Sequence, residues 1–140
     1  MRWLTHLGGA RATIGISLLL VAAGEQLLGF AALFALTTSH LAVQVLKRAV
    51  ARPCDANGRL LALIDLPDPY SFPSGHAAAA AAVGGTVALA HPLLAPILLP
   101  VVALIAISRV SLRVQHLSDV IGGVVLGLAS AIGASALLLH

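Results

Sequence analysis

From Leu117 to Leu139 the chain carries a single charged residue, Asp119. A stretch this long and apolar is sufficient to cross the ~30 Å hydrocarbon core of a bilayer as a helix. Four more apolar stretches precede it: residues 10–24, Leu27 to Val50, Ser74 to Ala90, and Leu93 to Ser108. The first is the weakest. Its run from Ala12 to Gly24 falls short of the ~20 residues of an ordinary span, so it reads as a short tilted span or a partly interfacial segment. Composition leads the same way. Charged residues are 9% and hydrophobic residues 59%, whereas a soluble domain carries about 25% charged residues. A water-facing surface cannot be built from this supply, and disorder is excluded for the same reason. The expected fold class is all-α: an integral membrane helical bundle with about five transmembrane helices. The 140 residues read as a single membrane-embedded domain, 1–140.

Polar residues gather in few places. Ala51 to Pro73 is the only long polar segment and holds Pro53, Asp55, Asn57, Gly58 and Pro67, which is loop chemistry. If the first stretch spans, all eight basic residues (Arg2, Arg11, Lys47, Arg48, Arg52, Arg59, Arg109 and Arg113) fall on the N-terminal side. That bias predicts a cytoplasmic N-terminus. Short connections and a lone Cys54 suggest a bacterial inner membrane, and the single cysteine excludes an internal disulfide. The N-terminus carries no clear cleavage site, so Met1 onward reads as mature chain. No Cys/His cluster has zinc spacing. The formal charge of +3 comes without the basic, aromatic-interleaved stripe of a nucleic-acid reader, so no nucleic-acid partner is expected. Gly123 and Gly127 form GxxxG, extended by Ala131, and Ala77 to Ala82 allows close helix approach. Both are packing features, and the two glycines leave room for an oligomer contact.

Three segments carry the chemistry. In Phe72-Pro73-Ser74-Gly75-His76, Ser74 suits an N-cap. The amides after it would face an anion at the positive end of a helix dipole. His76 could give a proton to a leaving oxygen. The bland reading is an ordinary capped helix start. The second segment, Lys47 to Pro53, ends the second apolar stretch. Arg48 and Arg52 share a face at i,i+4, with His40 and Gln44 near the same stripe. Taken alone, these read as snorkelling anchors. The third, Ser108 to Asp119, holds Arg109, Arg113, Gln115 and His116. Arg109 suits forked phosphate contact, and Asp119 beside His116 would set its tautomer. Together the three segments bring cations, a helix start, two histidines and a carboxylate to one membrane side. Polar groups at that depth are costly and usually functional, and this set suits an oxyanion.

These segments resemble the motifs of the type 2 phosphatidic acid phosphatase and vanadium haloperoxidase superfamily, over about residues 40–125. The family pattern is Lys, six residues, Arg-Pro; then Pro-Ser-Gly-His; then Ser-Arg, five residues, His, three residues, Asp. The middle motif is present in full at Pro73 to His76. The resemblance implies a phosphatase/haloperoxidase-like helical core. It implies hydrolysis of a lipid phosphate or isoprenoid pyrophosphate through a phosphohistidine, with no metal and no other cofactor. It places Lys47, Arg52, Ser74, Gly75 and Arg109 on the phosphate, His76 on the leaving group, and Asp119 behind the attacking histidine. The partners implied are a phospholipid or isoprenyl (pyro)phosphate substrate and membrane lipids.

Two positions depart from the pattern. Six residues on from Lys47 stand Cys54-Asp55, and counting back from Arg52-Pro53 gives Val45 where lysine belongs. At the nucleophile's position stands Gln115, with His116 one place later. An amide has no ionisable proton near neutral pH and is not a phosphoryl nucleophile. His116 is the candidate nucleophile if the helix start shifts locally. Three readings follow: a phosphatase using His116, a catalytically impaired family member that binds anionic lipid headgroups, and, from another class, a small helical channel or transporter subunit.

Overall fold

The computed structural model describes residues 9–51, 70–112 and 115–140. Within them the chain forms α1 (Ala10–Ala22), α2 (Gln26–Val50), α3 (Gly75–Ala90), α4 (Ala95–Ser111) and α5 (Leu117–Leu138), with a 3₁₀ turn at Pro92–Leu94 before α4. These are the five stretches read from hydropathy, and no strand lies among the described residues. α2, the segment Pro92–Ser111 and α5 are long and apolar enough to cross a membrane; α1 and α3 are apolar but shorter. Much of the polar loop read between Ala51 and Pro73, and Arg2, Arg52, Arg59 and Arg113 with it, lies outside the described residues.

α3 is the hub. Ala77 to Val83 are all buried, as expected for a helix apolar on every side. Each face meets a different neighbour. Ala79 and Val83 pack on Ala32 and Leu36 of α2. Ala80 and Ala81 pack on Val102 and Ile105 of α4. Ala82 meets Ala35 and Ala134, and Ala77 meets Ala106 and Val120. Only methyl-sized side chains let several helices close around one axis this tightly.

The α3–α5 contact is the closest. A Cβ on Gly123 would collide with the Ser74 carbonyl oxygen, and one on Gly127 with the Ala78 carbonyl oxygen. The glycines let backbone meet backbone, the mode expected where lipid supplies no hydrophobic drive between helices. This corrects the oligomer reading of the same motif: the Gly123/Gly127 face is filled by α3 of its own chain, and Gly123, Gly127 and Ala131 are buried. The spacing marks a small-residue face without saying which helix occupies it. At the other end of the chain, Gly24 turns α1 into α2 at φ 96°, a backbone region open to glycine at little cost.

Replacing Gly127 by Val should separate α3 from α5 and cost about 1–3 kcal/mol, the usual range for overpacking. At Gly133 an added Cβ would meet nothing within 4 Å, so Gly133→Ala should leave stability unchanged or slightly raised. Thermal unfolding of the two variants in detergent checks both.

Candidate functional site

Four helix ends meet at one end of the bundle: the last turn of α2, the first turn of α3, the last turn of α4 and the first turn of α5. Ser74 N-caps α3, as its sequence position predicts; its Oγ accepts from the Ala77 N–H at 3.3 Å. The Ser74 N–H donates to the Asp119 carbonyl at 2.8 Å. The starts of α3 and α5 are therefore joined through backbone.

Gln115 lies at the centre. Ser74 Oγ donates to Gln115 Oε1 at 2.5 Å, and Arg109 Nε donates to the same oxygen at 3.3 Å. On its other side the amide donates: Gln115 Nε2 reaches the Ser71 carbonyl at 3.2 Å. Ser71, Ser74, Arg109 and Gln115 are all buried. The amide uses both of its hydrogen-bonding characters, acceptor and donor, to hold three elements together. Lys47 adds a parallel tie from α2, with Nζ donating to the Tyr70 carbonyl at 3.1 Å.

The phase of α2 shows how the residues of the first motif are turned. Val45, where counting back from Arg52 would put a lysine, is 65% exposed, whereas Lys47 is 7% exposed. Lys47 is the cation that faces inward, on a buried stripe with Leu36, Ser39 and Val43. The stripe read from sequence as His40, Gln44 and Arg48 is one step out of phase: His40 and Arg48 are exposed and Gln44 only half-buried. The proposed partner Arg52 lies outside the described residues.

At the third motif, His116 is the N-cap of α5 and stands in a reciprocal capping box with Asp119. The Asp119 carboxylate, fully buried, accepts from the His116 backbone N–H through Oδ2 at 2.9 Å. The sequence pattern joins the two residues through the imidazole; this contact runs through the main chain, because a carboxylate at the third helical position reaches the orphan amide of the cap. His76 sits in the first turn of α3 and is half-buried. Gly75 differs from the packing glycines: among the described residues, a Cβ there would meet only Val43 Cγ1, at 3.9 Å. Packing against the described residues does not demand glycine at 75.

The geometry thus gathers Lys47, Ser74, Gly75, His76, Arg109 and Asp119 at one end, with Gln115 among them. The Tyr70 and Ser71 carbonyls, which anchor Lys47 and Gln115, gave no sequence signal beyond lying just before Pro73. Two cations, a hydroxyl and the positive end of a helix form a set whose chemistry suits an oxyanion. The group among them is an amide rather than an imidazole.

The family model of the PAP2 superfamily matches residues 28–139. No curated protein sequence matches the chain significantly. Among solved structures, the chain is similar to the crystal structure of a transmembrane PAP2-type phosphatidylglycerolphosphate phosphatase from Bacillus subtilis. The TM-score is 0.84 at 27% identity, covering 97% of this chain and 73% of that one. Matched over most of its length, with long apolar helices in the arrangement of a membrane lipid phosphatase, this chain is an integral membrane protein of the PAP2 superfamily.

Proposed function

We propose that this chain captures the phosphate of a membrane lipid, as a monoester or an isoprenyl pyrophosphate, in a lipid-phosphatase-type site, and that Gln115 leaves the hydrolytic step without its nucleophile. One observation carries the reading. Ser74 Oγ and Arg109 Nε converge on a single oxygen, Gln115 Oε1. The family resemblance assigns those two donors to phosphate oxygens. Here they are preoriented for an oxygen acceptor, and the amide supplies it. A phosphate oxygen, bearing charge, is a stronger acceptor than an amide and would displace it.

In this reading Lys47 and Arg109 neutralise the headgroup, with Arg52 as a further candidate cation. Ser74 and the Gly75 amide orient it, and Asp119 holds the start of α5. His76 stands where a proton donor to a leaving oxygen is needed. A histidine at 115 would attack phosphorus, forming a P–N bond as the ester P–O bond breaks. His76 would protonate the departing oxygen, and water would then cleave the phosphohistidine. Gln115 cannot begin that sequence.

A second reading keeps the chain an active phosphatase, with His116 as nucleophile. It draws on the half-buried position of His116 and its capping box with Asp119.

The deciding experiment is phosphate release from dioleoyl phosphatidate and an isoprenyl pyrophosphate by the protein in detergent. The first reading expects turnover at background for the chain as it stands, and a rise of at least about a hundredfold for Gln115→His. Adding His76→Ala to that variant should remove about 10²–10⁴ of the gain. Native turnover that disappears in His116→Ala would instead establish the second reading. Binding gives an independent check. Arg109→Ala should weaken inorganic phosphate by about 1.5–3 kcal/mol, the worth of a hydrogen bond to a charged group. Gln115→Ala, which removes the competing oxygen, should bind phosphate more tightly than the native chain; isothermal titration measures both.

A further inference from the structure

The outer surface of the bundle is polar in one place. Beyond their first and last turns, the exposed positions of α1, α4 and α5 carry only aliphatic side chains, glycine or proline, as a lipid-facing surface requires. α2 differs. Midway along it Thr37 and His40 are exposed, and Gln44, one turn further on, is half-buried. Thr37 is satisfied within its own helix, its Oγ1 donating to the Leu33 carbonyl at 2.8 Å. His40 and Gln44 are not: no hydrogen bond joins the imidazole or the amide to another described residue.

Depth makes this costly. His40 lies ten residues before the end of α2 at Val50, about 15 Å along the axis and so about half-way through a ~30 Å hydrocarbon core. An imidazole is too short to reach the headgroups from there, unlike the long side chain of Arg48 near the helix end. Polar side chains at such depth almost always meet another protein group. Their spacing is also that of a contact. Phe30, Leu33, Thr37, His40 and Gln44 follow one another at intervals of three, four, three and four, the repeat of a seam between two helices.

The seam suits a second copy of this chain. Copies of a membrane protein insert in one orientation, so α2 meets α2 in parallel, around a two-fold axis along the membrane normal, with each residue near its own counterpart. Such a face must complement itself. A neutral imidazole carries one donor and one acceptor, and an amide carries both, so each can bond to its like. Arg48, the nearest like charge, lies at headgroup depth, where its long chain can turn outward. We infer that two copies pair in parallel through this face of α2, with His40 and Gln44 hydrogen-bonding across the seam. The inference is independent of the phosphate reading, and it uses a different face from the glycines of α5, which α3 fills.

The test uses the full chain in vesicles of phosphatidylcholine and phosphatidylglycerol. In a Cys54→Ser background, Thr37→Cys should cross-link two copies on oxidation, and Ile132→Cys, exposed on α5, should not. Energy transfer between two fluorophore-labelled pools gives the dissociation constant. Combining His40→Leu with Gln44→Leu should raise it about tenfold or more. His40→Gln, which keeps a donor and an acceptor, should stay within about threefold of the native chain. Neither side chain belongs to the buried core, so the unfolding temperature of both variants should be native. If the leucine pair lowers it, the comparison of the two cysteine positions, which leaves His40 and Gln44 in place, still decides. A native chain that stays monomeric leaves the stripe to lipid or to a different partner and overturns the inference. So do cross-linking at Ile132→Cys equal to that at Thr37→Cys, and a double leucine variant that dimerises as tightly as the native chain.

Discussion

The contact of α5 on α3 holds the site in place. Two glycines let α5 approach until its backbone is stopped by the Ser74 and Ala78 carbonyls. At that distance the Ser74 N–H finds the Asp119 carbonyl, which sets the start of α5 beside the start of α3. Everything polar follows from that alignment. Gln115, two residues before α5, comes within reach of the Ser74 hydroxyl; Arg109, at the end of α4, comes within reach of Gln115. A side chain at 123 or 127 would change more than packing, because the same separation sets the distance between a cap, a cation and an amide.

Much of this was legible in the residues, for reasons of physics. Apolar runs long enough to span a bilayer read as helices whatever their partners, and all five appear close to their hydropathy limits. Ser74 was legible as a cap because a hydroxyl before an alanine run has few other uses. The convergence of Lys47, Ser74 and Arg109 followed from counting spans. What sequence could not supply was phase and partnership. Lys47 and Arg48 are adjacent, and only tertiary packing turns one inward and leaves the other exposed. GxxxG marks a face that permits close approach, but intrachain and interchain partners demand the same residues. Gln115 was recognisable as a departure, yet its three hydrogen bonds depend on carbonyls and side chains 6 to 44 residues away.

The amide at 115 also explains how a strongly polar cluster persists in an apolar protein. A buried donor left without an acceptor costs about 1–3 kcal/mol, and more when charged. Ser74 and Arg109 meet that need on Gln115, and Gln115 meets its own on Ser71. Such a cluster is stable without a ligand, which a bare ring of donors would not be. On the proposed reading, an incoming anion would gain these donors only by releasing the amide.

α3 has 16 residues and so measures about 24 Å, at 1.5 Å per residue. A typical hydrocarbon core is ~30 Å thick. The hub of the bundle is thus shorter than the slab it sits in by about 6 Å, and its N-terminal end carries Ser74 and the proposed phosphate site. Where that shortfall falls at the Ser74 end, a lipid phosphate bound there as proposed above would sit below the plane of its neighbours, or the leaflet would dimple to meet it. Either deformation costs fractions of a kcal/mol per ångström. On the proposed reading, membrane thickness would then enter the binding equilibrium directly: the same residues would grip a headgroup more tightly in a thin bilayer than in a thick one.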